Sequence, residues 1–253
     1  TLDWSAVELP DGLNPSSVVV AGDALLVGGR STAEGEHPGL VTVAADGTVS
    51  PLAVKPQSPY AKIADLASLA TDGRTAIGLF RLAAPAAGEW VLVEAAAGGL
   101  GSLLVQLALG VGAHVIGAVG SDGKLGVVNE KASAVDYGKP DWSSRVRELT
   151  PGLDLVFDGV GGEIGAVAAE LLKPGGRFVI HGAAGGRMTD PASVSGRVLT
   201  LRDVTGTIPD LAREALASGL KPLIGQTFPL ERAAEAHAAI EARQTVGKTL
   251  LLA

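Results

Sequence analysis

Two hydrophobic patterns divide the chain. Up to Val54 the apolar runs are short, and turn-forming glycine and aspartate residues separate them. These runs are residues 18–20, 24–27, 40–43 and 48–54. Apolar runs of this length predict antiparallel hairpins, and Asp46-Gly47 is the clearest turn because both residues tolerate the backbone angles of a tight hairpin. Residues 1–67 are therefore predicted to be a mainly-β segment.

After about Asp72 the pattern changes to short apolar strands that alternate with helices. The predicted strands are 90–95, 114–119, 134–137, 153–158 and 177–181, and the predicted helices between them are 102–109, 142–149 and 165–172. A helix over 230–242 and a strand over 248–253 follow near the end. Such alternation predicts an α/β fold with a Rossmann doubly wound parallel sheet over residues 68–253. The junction is expected between Pro59 and Phe80.

Composition narrows the range of functions. Of 253 residues, 47% are hydrophobic but only 4% aromatic, so the core is aliphatic. A net charge of -7 supplies no basic surface for nucleic acid or an anionic membrane. The chain has no cysteine, which excludes disulfides, thiolate zinc sites and cysteine nucleophiles. We expect a cytoplasmic protein without a metal or a membrane span, and exposed sheet edges favour a homo-oligomer.

A glycine-rich turn follows the first strand of the α/β part. Ala96, Gly98 and Gly101 have the spacing of a dinucleotide-binding fingerprint with alanine in the first glycine position. Small residues let the backbone approach a pyrophosphate, and the first N–H groups of the next helix attract its charge. The turn of Ala97, Gly98, Gly99, Leu100 and Gly101 is therefore predicted to receive the pyrophosphate of a dinucleotide. The alternative is a tight turn that serves packing alone.

The end of the second strand bears on the choice of cofactor. An acidic residue at the strand tip bonds the ribose hydroxyls of NAD and repels the extra phosphate of NADP. Here Ser121 can donate a hydrogen bond to a 2′-phosphate and Lys124 can neutralise it, whereas Asp122 would favour NAD if it occupied the tip. We expect NADPH rather than NADH. Lys124 could equally be an ordinary solvated lysine.

These features together resemble the medium-chain dehydrogenase/reductase superfamily, specifically its zinc-independent quinone oxidoreductase branch. The matching stretches are 71–76, 88–93, 95–101 with Gln106, 135–137, 157–162, 172–177 and 246–248. The resemblance implies that Ser121, Lys124 and Tyr137 lie near the adenosine 2′-phosphate. It also implies that Val160 and the turn of His181, Gly182 and Ala183 lie toward the nicotinamide.

The first 67 residues do not fit this resemblance. Superfamily members begin with a GroES-like catalytic domain, whereas residues 24–54 resemble one blade of a β-propeller. Two hypotheses follow. The chain is an NADPH-dependent quinone or enone oxidoreductase that acts by hydride transfer, or it is a non-enzymatic NADP(H)-binding module or recombined, engineered chain without the catalytic domain.

No side chain is predicted to be catalytic. His181 follows a predicted strand at the edge where doubly wound sheets bind ligands, but a hydrogen-bonded structural histidine explains it equally well. Ser102 lacks the surroundings of a nucleophile and is expected to cap a helix or contact phosphate. Asp158 is better explained by the adjacent turn than by an acid–base pair with Asp154.

Overall fold

The N-terminal strands form an antiparallel sheet. The structure, a computed structural model, describes residues 13–21, 24–31, 40–44, 49–51 and 60–252. Strands β1 (Leu13–Ala21), β2 (Ala24–Ser31), β3 (Leu40–Ala44) and β4 (Val49–Pro51) pair in chain order. The predicted antiparallel pairing is confirmed, with Val43 of β3 opposite Val49 of β4. The Asp46-Gly47 turn between them lies outside the described residues, and the division at residue 67 stays a prediction.

A long helical segment comes next, and the sequence analysis did not predict it. Helix α1 (Tyr60–Ser68) continues through one π-helical turn (Leu69–Gly73) into α2 (Arg74–Ala83). Leu69, Ile77 and Leu79 are buried. The segment ends where Ala84 adopts a left-handed conformation and its N–H donates to the Phe80 carbonyl at 2.9 Å. Its buried face packs this segment onto the sheet that follows.

The central element is a parallel sheet of six strands. They are β5 (Trp90–Glu94), β6 (His114–Val119), β7 (Ser133–Asp136), β8 (Leu153–Asp158), β9 (Leu172–Ile180) and β10 (Arg197–Thr200). Their order is β10-β9-β8-β5-β6-β7, and all pairs are parallel. The predicted doubly wound Rossmann sheet is confirmed. Its strand order reverses between β5 and β8, which is where such sheets bind ligands.

Helices cover both faces of this sheet. They include α3 (Gly99–Gly110), α4 (Trp142–Leu149) and α5 (Gly162–Glu170). Side chains alternate along β5, so Val91 and Val93 join the core beneath α2 and α3 while Leu92 joins the core that contains Trp142. Burial on both faces explains why the strands read as continuous aliphatic runs.

The C-terminal part adds a smaller parallel pair. After α6 (Ile208–Ala217) come β11 (Ile224–Pro229), α7 (Ala233–Glu241) and β12 (Lys248–Leu252), and β11 pairs with β12. The helix predicted over 230–242 is thus shorter than expected, because residues 230–232 form a 3-10 turn. Among the described residues, no helix has the length and apolar character needed to cross a membrane.

Candidate cofactor site

The glycine-rich turn connects β5 to α3. Ala95 adopts a left-handed conformation (φ 49°), and the Gly98 N–H donates to the Ala95 carbonyl at 2.8 Å. Gly98 is the extended residue that precedes the helix. The turn therefore directs the start of α3 toward the carboxyl edge of the sheet, as the fingerprint predicts.

Gly101 is required by close packing. A Cβ at this position would overlap the Ala95 carbonyl oxygen and would lie 2.8 Å from the Ala95 carbonyl carbon and 3.0 Å from the Ala96 Cα. All three atoms belong to the backbone, so none can move aside as a flexible side chain could. The first turn of α3 can approach β5 this closely only because residue 101 has no side chain.

An ion pair fixes the opposite side of the turn. The Lys248 Nζ lies 2.9 Å from the Asp72 Oδ1, and both side chains are partly buried. A Cβ on Gly99 would overlap the Asp72 Oδ2. The pair thus joins the helical segment before the sheet to β12 at the start of α3.

A cleft of about 340 Å³ opens beside the turn. It lies at the carboxyl ends of β5, β6 and β8, next to the reversal of strand order. The lining residues are Ala95, Ala97, Gly98, Val119, Gly120, Lys124, Tyr137, Val160, Ala184, Ile240, Glu241, Arg243, Thr245 and Gly247. An elongated cofactor that binds at a switch point would occupy this position.

The structure gathers some of the predicted site residues in this cleft. Ala97, Gly98, Lys124, Tyr137 and Val160 line it. The remaining predicted residues do not, and they fall into three groups. Gly99, Leu100 and Gly101 form the first turn of α3, Ser121 is exposed one residue beyond Gly120, and His181, Gly182 and Ala183 precede the lining residue Ala184.

One wall of the cleft was missed by sequence reasoning. It consists of residues 240–247, including Arg243, Thr245 and Gly247. The Gly247 N–H donates to the Ala97 carbonyl at 2.7 Å, so this segment is attached to the glycine turn. The Val246-Gly247-Lys248 stretch carried part of the family resemblance, but nothing local placed it beside residue 97.

Arg243 extends across the cleft. Its backbone is left-handed (φ 56°), which is uncommon for a residue other than glycine. Its guanidinium donates to the Ala184 carbonyl at 3.4 Å, and its own carbonyl accepts from the Lys124 Nζ at 2.7 Å. Two cationic side chains therefore converge at one end of the cleft.

The titration of these side chains reflects their proximity. Burial, and then the charge of Arg243, lower the pKa of Lys124. Burial, and then Glu94, raise the pKa of Tyr137, while Arg243 acts in the opposite direction. Lys124 and Arg243 repel each other across the cleft, and an anion bound between them would offset that repulsion.

Two carboxyl groups lie behind the cleft. Glu94 ends β5 and Asp158 ends β8, and both are completely buried. Asp158 accepts hydrogen bonds from the N–H groups of Val160 (3.2 Å) and Gly161 (2.7 Å), which supports its predicted role in the adjacent turn. Asp154 lies at the other end of β8 and accepts from the Trp90 N–H and the Lys173 Nζ. The two aspartates thus form no acid–base pair. Glu94 was not singled out, although it is the one charged residue in the strand.

His181 lies close to these carboxyl groups. Its backbone N–H donates to the Asp158 carbonyl at 2.9 Å. Burial lowers the pKa of its imidazole to about 4, although Asp158 acts to raise it. The ring is therefore neutral at pH 7, and its Nε2 has no hydrogen-bond partner among the described residues.

Metal binding finds no support in this part of the chain. Among the described residues, no three His, Asp or Glu side chains are grouped closely enough to hold a metal ion. That the protein works without zinc remains a prediction.

Comparison with known proteins relates this geometry to a family. Residues 131–251 match the family described as zinc-binding dehydrogenase. A 2-haloacrylate reductase of Burkholderia is 31% identical over 185 residues, which are 65% of this chain and 56% of that protein. A quinone oxidoreductase of Pseudomonas aeruginosa is 33% identical over 184 residues, or 65% of this chain and 57% of that protein. The chain thus spans little more than half the length of these curated relatives.

Solved structures agree with these matches. The Escherichia coli quinone oxidoreductase, determined in complex with NADPH, superposes with a TM-score of 0.68 at 27% identity, covering 91% of this chain and 80% of that one. Sequence and fold thus support the resemblance of the Rossmann part of this chain to quinone oxidoreductase-like proteins of the medium-chain dehydrogenase/reductase superfamily.

Proposed function

We propose that this chain binds NADP(H) in the cleft beside the glycine turn and serves an NADPH-dependent oxidoreductase. The observation that carries the proposal is the convergence of Lys124, Tyr137 and Arg243 at the end of the cleft near β6. Two cations and a hydroxyl offer charge-assisted hydrogen bonds to a phosphate monoester. The pyrophosphate would lie over Gly98 at the start of α3.

The tip of β6 supports NADP(H) over NAD(H). The strand ends at Val119, and the residue that follows it in the cleft is Gly120, which has no side chain to repel a 2′-phosphate. Asp122 lies two residues farther on, is exposed, and pairs with Lys139 at 2.5 Å. Glu241 also lines the cleft, but it belongs to α7 rather than to the strand tip.

The reaction proposed is hydride transfer from the C4 of NADPH to a quinone or enone. The relatives named above include a quinone oxidoreductase and a 2-haloacrylate reductase, and both substrate types are electron-poor alkenes. The cofactor supplies the hydride, and the protein holds and orients it. Val160 lines the cleft after β8, whereas Lys124 follows β6 on the other side of β5, and we place the nicotinamide near Val160.

Titration with NADPH and NADH tests the cofactor assignment. Lys124→Ala and Arg243→Ala should each weaken NADPH binding about tenfold or more, the usual effect of losing a hydrogen bond to a charged group, while NADH binding changes little. Lys131→Ala is the matched control, because Lys131 is exposed and does not line this cleft. Equal affinities of the unaltered protein for the two cofactors would overturn the assignment.

Turnover separates the enzyme from a binding module. The same samples are mixed with a quinone, and NADPH oxidation is followed by absorbance. NADPH oxidation that depends on both protein and quinone supports the reductase. Tight NADPH binding without turnover would instead support a non-enzymatic NADP(H)-binding module.

A further inference from the structure

The two carboxyl groups at the switch point share one hydrogen-bond donor. The Val160 N–H lies 3.1 Å from the Glu94 Oε2 and 3.2 Å from the Asp158 Oδ1. Both side chains are completely buried. No Lys, Arg or His within the described ranges forms an ion pair with either of them. Two buried carboxylates that converge on one donor without a counter-ion cannot both be ionised.

We propose that Glu94 and Asp158 share one proton, and that this acid–carboxylate pair holds the Val160–Gly161 turn in the position that binds the cofactor. Glu94 is thus a positioning residue, since it acts through the backbone of the turn and does not line the cleft. The inference rests on the proposed binding of NADP(H).

Hydrogen bonding indicates which group keeps the proton. Asp158 accepts from the N–H groups of Val160 and Gly161, and from the Thr189 hydroxyl at 2.6 Å. Three donors stabilise the ionised form of Asp158. Glu94 accepts from Val160 alone, and its Oε1 has no partner among the described residues. Burial, and then the charge of Asp158, raise the pKa of Glu94 well above its usual range.

Within the part of the chain that the structure describes, the neighbouring elements contribute no positive charge in direct contact with Glu94. Tyr137, after β7, and His181, after β9, are both neutral at pH 7. Two arginines lie in this region. Arg187 packs beside Gly162 at the start of α5, and Arg243 faces Tyr137. Ionisation of Glu94 would therefore place two negative charges on the Val160 N–H without compensation.

The Val160–Gly161 turn transmits the ionisation of Glu94 to the cleft. Val160 lines the cleft, and Gly161 precedes α5 with a left-handed φ of 71°. A Cβ on Gly161 would overlap the carbonyl oxygen of Arg187, so this arrangement of the turn requires glycine at residue 161. When Glu94 loses its proton, repulsion from Asp158 weakens the hydrogen bonds that hold this turn. NADPH affinity should then decrease as pH rises through the folded-state pKa of Glu94.

The pH dependence of stability has a defined sign. The pKa of Glu94 is higher in the folded than in the unfolded protein, so the unfolded chain loses the proton first as pH rises. The cost of burying Glu94 therefore grows from about pH 4.3, the unfolded pKa, up to its folded pKa. Glu94→Gln should remove this part of the pH dependence.

The experiment compares three variants with the unaltered protein. Glu94→Gln keeps an oxygen for the Val160 N–H and supplies a permanent N–H for Asp158, so it imitates the protonated acid. Glu94→Ala removes the acceptor of the Val160 N–H and the carboxyl group that would share a proton with Asp158. Asp154→Asn is the matched control, because it removes a carboxylate from the opposite end of β8. NADPH dissociation constants and thermal unfolding are measured from mildly acidic to alkaline pH.

We expect Glu94→Gln to bind NADPH as the unaltered protein does below the folded-state pKa of Glu94 and about tenfold more tightly above it, the scale of one lost hydrogen bond. Glu94→Ala should bind weakly at every pH, and Asp154→Asn should follow the unaltered protein. At each pH, the NADPH dissociation constant of the unaltered protein is divided by that of Glu94→Gln. This ratio isolates the effect of Glu94, because Lys124, which also loses its charge at alkaline pH, is present in both proteins.

Three results would overturn the inference. The shared proton would be excluded if the unaltered protein and Glu94→Gln kept a constant ratio of NADPH affinities and a constant difference in melting temperature across the pH range. Normal NADPH binding by Glu94→Ala would exclude the positioning role while leaving the proposed function intact. Failure of the unaltered protein to bind NADPH at any pH would overturn the proposed function, and with it the positioning role. This holds even if the melting temperatures of the unaltered protein and Glu94→Gln diverge with pH.

Discussion

The contact between Gly101 and the backbone of β5 can be tested by adding a single methyl group. In Gly101→Ala the new Cβ would overlap the Ala95 carbonyl oxygen and lie 3.0 Å from the Ala96 Cα. Because both atoms are backbone, α3 must move away from the strand. That movement would displace the N–H groups at the start of the helix, where we place the pyrophosphate.

A matched variant in the same helix sets the expected size of the stability loss in Gly101→Ala. Replacing a helical glycine with alanine stabilises a protein by about 0.5–1 kcal/mol when space is available. Gly110 ends α3, and no atom lies within 4 Å of a Cβ built there. Gly101→Ala has the same helical gain but adds overpacking, which costs about 1–3 kcal/mol. Gly101→Ala should therefore be about 2 kcal/mol less stable than Gly110→Ala.

Urea unfolding of the two variants measures this difference directly. The free energies of unfolding are compared with the same dependence on urea concentration assumed for both variants. NADPH titrations are run on the same preparations. We expect Gly110→Ala to bind NADPH normally and Gly101→Ala to bind it more weakly. Stabilities within about 0.5 kcal/mol of each other would refute the close-packing argument.

Two further predictions concern Gly247 and His181. Gly247 has a φ of 61°, and a Cβ there would overlap the Leu223 carbonyl oxygen. Gly247→Ala should therefore lower the free energy of unfolding by about 1–3 kcal/mol more than Gly219→Ala does, as measured by urea unfolding. Gly219 is the control because its φ of 75° carries the same backbone strain in open space, and equal losses would contradict the contact. NMR titration of the His181 ring should give a pKa of about 4, so the folded protein loses stability as pH falls from 6.5 toward 4; a pKa near 6.5 would contradict its burial.

Much of the sheet could be predicted because its local signals agree with the fold. Strands β6 and β8 and helix α4 have the predicted bounds, since each is a short run of one pattern between glycine, proline or polar residues. Strand β9 begins five residues earlier than predicted, at Leu172. The Pro174-Gly175-Gly176 stretch resembles a turn locally, but it continues the strand in the fold.

Among the elements that sequence reasoning missed, α6 carried a recognisable signal and β10 did not. Helix α6 begins after Thr207, whose hydroxyl accepts from the Asp210 N–H at 3.3 Å and so caps the helix. Thr207-Ile208-Pro209-Asp210 is a helix start that could have been recognised. Strand β10 has only four residues, and its place at the sheet edge comes from pairing with β9. Such a short segment has no distinct local pattern.

The candidate site was predictable only where its residues follow a strand. Gly98, Lys124 and Val160 come after β5, β6 and β8, and strand ends of a parallel sheet meet at one edge. Arg243 and Thr245 lie more than 100 residues from the glycine turn in sequence. A hydrogen bond from Gly247 to Ala97 brings them to the cleft, and no spacing or motif encodes that contact.

The reversal of strand order connects the cofactor cleft with the buried carboxyl groups. Strands β5 and β8 are neighbours, and the chain continues from them toward opposite edges of the sheet, which leaves a crevice between their ends. The turn after β5 provides Gly98 for one side of the cleft, and the turn after β8 provides Val160 for the other. Glu94 and Asp158 are the last residues of these two strands. A change in how the two carboxyl groups share a proton would therefore act through the Val160–Gly161 turn, which is why a residue that does not line the cleft should control cofactor affinity.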